Sequence, residues 1–194
     1  MTMPYDQQDD VPDDTLLVLY ANGDDTAARA LTLRLTPRVF SHAFRMLGDR
    51  AEAEDVAQEA MIRLFRQAPE WRQGEAKVTT WLYRVTANLC TDRLRKAKGV
   101  ALDAIAEPED DAKTAAQSML DQARSEALQR ALATLSERQR EAVALRHLQG
   151  LSNPEIAEVM TISIEAVESL TARGKRALAA ALADQREALG YTDG

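Results

Sequence analysis

The stretch LSNPEIAEVMTISIEAVESLTARGKR, from Leu151 to Arg176, limits the possible folds more than any other part of this chain. Its apolar residues recur at helical intervals on both sides of a break near Thr161. Ile156, Ala157, Met160, Ile162, Val167 and Leu170 would then face inward, which makes two short helices joined by a tight turn. The second helix would present an outer face shaped to enter a DNA major groove.

A DNA-reading unit sits oddly on a chain with a net charge of −7. Phosphate neutralisation supplies much of the affinity of a protein that holds DNA alone, and such a protein is usually basic. Either this chain does not bind DNA, or a larger partner supplies the electrostatics. Aromatic residues are 5% of the chain, while Ala and Leu are abundant and Gly and Pro few. No Val/Ile/Thr alternation bounded by turns is present. The expected class is all-α.

The lone Cys90 excludes an internal disulfide, and two histidines, His42 and His147, make a zinc site improbable on residue supply. No metal and no cofactor is expected, and Cys90 is expected to pack as a small hydrophobe. No run is apolar enough for membrane insertion, and the opening MTMPYDQQDDVPDD is acidic, unlike a secretory signal. A cytoplasmic location follows as an expectation.

The chain divides into two small helical domains on a flexible acidic linker. Residues 1–13 form an acidic arm, and Asp13 or Asp14 can cap the first helix. Residues 14–98 read as roughly four helices, with breaks near Asn22-Gly23, Leu47-Gly48-Asp49 and Pro69 to Lys77. Pro37 falls inside the second and should kink or split it. Residues 99–120, with the core Glu107-Pro108-Glu109-Asp110-Asp111, read as the linker. The second domain covers 121–188. Ser136 with Gln139 makes a capping box, Ser152 or Asn153 with Pro154 starts the next helix, and Ser163 starts the last.

Two surfaces of the first domain stand out. On the helix from about Asp49 to Gln67, the residues Ala53, Val56, Ala57, Ala60 and Leu64 make the buried stripe. Asp55, Gln58 and Ile62 make an outer one, beside Glu52, Glu59 and Arg63. Such a face can dock a protein or simply meet water. The helix VTTWLYRVTANLCTDRLRKAKG buries Leu82, Val85 and Leu89 and turns out Arg84, Asn88, Thr91 and Arg95. Four basic side chains and no acid lie between Arg93 and Lys98. Cations, aromatic rings and an amide suit unpaired DNA, which needs phosphate contacts, stacking and base-edge bonds. A basic helix end complementing its own dipole, with Trp81 in the core, is the plain alternative.

The segments AEAEDVAQEAMIRLFR and TTWLYRVTANLCTDRLRK resemble region 2 of the sigma-70 superfamily, and the later helix-turn-helix resembles region 4. The absence of other regions and the short tether resemble the extracytoplasmic-function (ECF, group IV) sigma factors. The resemblance implies a promoter-specificity subunit that performs no bond chemistry. Asp55 and Gln58 match the D-x-x-Q pair that grips the clamp helices of the polymerase β′ subunit, with Glu59 and Ile62 beside them. Asn88 matches a −10 asparagine. The loop containing Trp71, Arg72 and Lys77 matches one that cradles a flipped-out base, and Trp81, Arg84, Arg93, Arg95 and Lys96 would border the DNA path.

In the second domain, Arg138, Arg140, Ser163, Ser169, Arg173, Lys175 and Arg176 become candidates for −35 contacts, and the β flap becomes a further polymerase partner. For Arg138 and Arg140, helical pairing with Glu137 and Glu141 is the alternative. The last helix should pack Val167, Leu170, Gly174 and Leu178 inward. Thr161 stands where a turn glycine is common, Ala166 replaces a frequent threonine, and Glu168 replaces a frequent lysine. Asn153-Pro154 also replaces the usual run-in to the E-I-A motif. An anti-sigma factor that wedges between the domains is an implied partner. Weak promoter binding by the isolated chain is expected, because core polymerase would supply the basic surface and place both domains at once.

Two other functions compete. A stand-alone regulator would use only the helix-turn-helix and bind duplex tightly as a dimer. An enzyme would need a motif such as a P-loop, a nucleophile elbow or HExxH, and none is present.

Overall fold

The computed structural model describes residues 11–74, 76–100 and 115–183. These form eight α-helices: α1 (Asp13–Ala21), α2 (Asp25–Leu47), α3 (Arg50–Gln67), α4 (Val78–Val100), α5 (Ala115–Ala133), α6 (Glu137–Val143), α7 (Asn153–Met160) and α8 (Ile164–Ala183). A short 3-10 turn, Ala68–Glu70, follows α3, and a π-helical segment, Ala144–Leu148, extends α6. No strand occurs among the described residues. The first ten residues of the acidic arm and the centre of the linker lie outside them.

Helix starts follow local chemistry. Asp24 caps α2 by accepting from the Thr26 amide at 2.9 Å, and Asp49 caps α3 through the Glu52 amide at 2.9 Å. Gly48 ends α2 in the left-handed region, with φ of 76°. The Ser136–Gln139 capping box forms as expected. Ser152 is the cap of α7, with Pro154 in the first turn. Asp13 and Asp14 instead lie inside the first turn of α1, behind Pro12. There Asp13 pairs with Arg34 at 2.6 Å and Asp14 accepts from the Thr15 amide at 2.9 Å.

Pro37 does not split α2, which runs unbroken for 23 residues. Proline removes the bond to the carbonyl four residues back. That residue is Leu33, whose side of the helix is open to solvent, so water can serve the carbonyl. Leu35 and Val39, on either side of Pro37, are buried and hold the helix against its neighbours.

Helices α1 to α4 enclose one core. Leu16, Leu17, Leu31, Leu35, Leu64 and Leu82 are all 2% exposed or less. The whole expected stripe of α3 is buried. His42 is also fully buried, its ring edge-on to Tyr83 with centroids 5.4 Å apart. Burial pushes its pKa down to about 4, so it is neutral at physiological pH.

In the second unit, Ile156 and Val167 are fully buried as expected, while Ala157, Met160, Ile162 and Leu170 are half-buried. Gly174 is buried where α8 crosses α6. A Cβ there would lie 2.6 Å from Val143 Cγ2 and 3.2 Å from the Gln139 carbonyl, so only glycine lets the helices approach this closely.

Thr161 ends α7 with φ and ψ both 52°. Left-handed backbone costs an L-residue about 1–2 kcal/mol, and a β-branched one tolerates it poorly. Thr161→Gly should therefore raise the Tm by a few degrees in thermal unfolding. A fall would show that the Thr161 side chain stabilises the turn.

Candidate nucleic-acid interface

The outer stripe of α3 is open. Asp55 and Gln58 are exposed, and Ile62 is 37% exposed, high for a large apolar side chain. Glu59 pairs along the helix with Arg63 at 2.8 Å. Arg93, read from sequence as facing DNA, reaches across to α3. It donates to the Glu52 carboxylate and carbonyl and lies 3.9 Å from Asp55 Oδ2. Its charge therefore serves the α3–α4 contact.

Helix α4 has two working faces beyond its core stripe. Asn88, Arg95 and Lys96 are exposed, with Arg95 3.6 Å from Asp92. Trp71 and Trp81 meet edge to face, centroids 6.1 Å apart, and both pack on the main core. This matches the core placement for Trp81. Arg72 is exposed on the loop between them.

The other face of α4 is covered by the second unit. Tyr83 and Ala87 join an apolar cluster with Leu145, Leu151, Ile156 and Val159. The Tyr83 hydroxyl donates to Gln149 Oε1 at 2.8 Å. Lys77 Nζ donates to Glu155 Oε1 at 2.7 Å. Arg84 Nη2 donates to the Glu158 carbonyl at 2.9 Å and reaches its Oε1 at 3.4 Å. Glu155 Oε2 accepts from the Ser152 amide and hydroxyl at 2.8 and 2.6 Å. The Lys77 bond, then the Ser152 bonds, hold the Glu155 carboxyl down to about 2, and the same pairing raises the Lys77 ammonium pKa. Gln149, Glu155 and Glu158 escaped the sequence reading. The available signal was the i,i+3 spacing of the two glutamates, which puts them on one face of α7.

The seam continues at α2. Gln129 donates to the Phe44 carbonyl at 2.9 Å and accepts from Arg45 at 3.2 Å. Arg140 turns inward, away from any −35 role. It donates to the carbonyls of Met46 at 2.6 Å, Leu132 at 3.0 Å, Ala133 at 3.2 Å and Leu135 at 3.4 Å. The end of α5 leaves carbonyls without helical partners, and the guanidinium fork satisfies them.

The outer face of α8 stays open. Ser169, Arg173, Lys175 and Arg176 are exposed, as is Arg138 on α6. Ser163 Oγ accepts from the Ala166 amide at 3.2 Å, so this hydroxyl starts the helix. Glu168 is exposed on the same helix, 3.5 Å from Asn153 Nδ2. Cys90 is fully buried and its thiol is pushed up to about 12, chiefly by burial, which makes it unreactive.

Residues 31–100 match the family described as Sigma-70 region 2, and residues 125–178 match Sigma-70, region 4. The ECF RNA polymerase sigma factor SigW of Bacillus subtilis is 31% identical over 173 residues, spanning 84% of this chain and 92% of SigW. The ECF RNA polymerase sigma factor SigM of Mycobacterium tuberculosis H37Rv is 33% identical over 169 residues, spanning 86% of this chain and 83% of SigM. With SigE of Mycolicibacterium smegmatis, another ECF RNA polymerase sigma factor, identity is 32% over 83% of this chain, which spans 65% of SigE. In fold, the chain resembles CnrH, solved with the cytosolic domain of CnrY, at a TM-score of 0.66 and 24% identity over 89% of this chain and 97% of that one. It also resembles the sigma factor RpoE of Bartonella quintana, solved with the anti-sigma factor NepR, at 0.65 and 20% over 80% of this chain and 96% of that one.

An all-helical pair of units, one with a helix-turn-helix and the other with an open D-x-x-Q stripe, defines a sigma-70-type protein. The chain belongs to the ECF sigma factors of that family.

Proposed function

We propose that this chain directs bacterial RNA polymerase core to promoters, melts the −10 segment and starts transcription, and that an anti-sigma factor holds it inactive until stress. The observation that carries this reading is the open stripe Asp55, Gln58 and Ile62 on α3, in one chain with the exposed basic face of α8. The α3 stripe takes the β′ clamp helices, and the second domain meets the β flap. Around Lys77, Arg84, Asn88, Arg95 and Lys96, α4 holds the unpaired −10 strand more tightly than duplex, which draws the equilibrium toward the open promoter. Arg138, Ser169, Arg173, Lys175 and Arg176 take the −35 element, with guanidinium groups suited to guanine or phosphate. The chain itself makes and breaks no bond, and it acts in the cytoplasm with polymerase. No helix among the described residues is long and apolar enough to cross a membrane.

The test is transcription by core polymerase plus this chain on a promoter selected from its own transcripts. Asp55→Ala with Gln58→Ala should weaken association with core by about tenfold, the scale of an interface hot spot, and remove chain-dependent transcripts. If the wild-type chain supports no transcription beyond that of core alone, the reading fails.

A further inference from the structure

Two cations assigned to the −10 strand already hold carboxylates of the same chain. Lys77 bonds Glu155 and Arg84 bonds Glu158, both on α7. The cleft at this point, about 480 Å³, is lined by the start of α1, by Gly74 to Thr79 and, from the second domain, by Glu158. Tyr83 and Gln149 close the next stretch of the seam, with apolar packing beneath them. The domains touch directly here, and the negative groups of one meet the positive groups of the other.

We propose that α7 is a self-inhibitory clasp: Glu155 and Glu158 stand on Lys77 and Arg84 where promoter phosphates would stand, and so shut the −10 surface in the free chain. This rests on the assignment of α4 to the −10 strand. The outer face of α8 stays open, so closure masks one promoter element and leaves the other accessible. The pairs are solvated: Lys77 is 73% exposed at its side chain and Arg84 40%. Pairs of this kind contribute less than about 1 kcal/mol each and weaken with salt. The clasp is therefore reversible, and the much larger contacts made by polymerase can pull it open. The poor fit between an acidic chain and DNA is then enforced as well as compositional, since its −10 cations are neutralised internally.

The experiment uses the full chain with spin labels on cysteines introduced at exposed Arg66 on α3 and Ala172 on α8; Cys90 is buried and takes no label. The variant is Glu155→Gln with Glu158→Gln, because glutamine still serves the capping box of α7. Distances between the labels should lengthen in the variant, and in the wild type as salt rises. Affinity of the free chain for a single-stranded −10 oligonucleotide should rise about three- to tenfold, the equivalent of one to two exposed ion pairs. In the holoenzyme, where the clasp is already open, that gain should vanish. Exchanging the charges, Arg84→Glu with Glu158→Arg, should restore the short distance. Distances unmoved by the variant and by salt overturn the clasp. Opening without any gain in oligonucleotide affinity overturns the masking. The −10 assignment is read separately: Lys77→Gln with Arg84→Gln should cut transcription by the holoenzyme, and if it does not, that assignment fails whatever the labels report.

Discussion

Arg140→Met should lower the stability of the second domain by about 3 kcal/mol and its Tm by several degrees, while leaving the salt dependence of promoter binding by the holoenzyme unchanged. Methionine keeps the aliphatic stem and removes the guanidinium. Three of the carbonyls Arg140 serves, Leu132, Ala133 and Leu135, belong to its own domain, so the loss persists when the domains part. A hydrogen bond to a charged group is worth about 1.5–3 kcal/mol, and carbonyls left unpaired away from water add to the cost. Burial also pulls the guanidinium pKa below its ordinary value, the mark of a charge held by specific partners. If Arg140 instead held a −35 phosphate, the variant would keep its Tm and lose about one unit of the log–log salt slope. Differential scanning calorimetry and a salt titration of promoter binding separate the two outcomes.

Arg140 also marks the limit of what the sequence conveys. Helical periodicity told which side of each helix meets its own core. It identified the stripe of α3, the stripe of α4, the two helices around Thr161 and the capping residues at positions 136, 152 and 163. Those signals are local: a side chain and its neighbours three or four places away. The alternative weighed for Arg140 was a carboxylate within one helical turn. Its actual partners are carbonyls up to 94 positions away. No periodic signal reports which element will cover a given outer face. Tyr83 and Ala87 lie outside the Leu82–Val85–Leu89 stripe, yet they are 4% and 6% exposed because a second domain packs there. Arg93 likewise reads as one of a basic run, and only the packing of α4 on α3 ties it to Glu52. The −10 cations were recognisable as cations. That their partners in the free chain are Glu155 and Glu158 depends on the docking of α7.

Glu141→Gln should stabilise the protein by about 2–3 kcal/mol at pH 8 and have almost no effect near pH 4.5. Glu141 is largely buried on α6, with Arg138 and Glu137 in its own helix and Cys90 of α4 within reach of its charge. Burial raises its carboxyl from the ordinary 4.5 to about 7; Arg138 draws it partly back and Glu137 adds to the rise. The neutral acid is thus the form the fold prefers, so folding takes up a proton between pH 4.5 and 7. By linkage, the contribution of Glu141 is least unfavourable below pH 4.5, worsens as pH rises through that window, and levels off above pH 7. Glutamine keeps the shape and carries no charge at any pH. It therefore removes a penalty that grows by about 1.4 kcal/mol for each pH step of one across the window. Thermal unfolding of both proteins from pH 4.5 to 8 measures the difference directly. A difference that stays constant across that range would mean the carboxyl titrates as it does in water. Because Cys90 lies on the first domain, the same proton is tied to closure of the seam. Acid should tighten the closed form, and a rise above pH 7 should favour the open one, the direction in which Glu155 and Glu158 release the −10 surface.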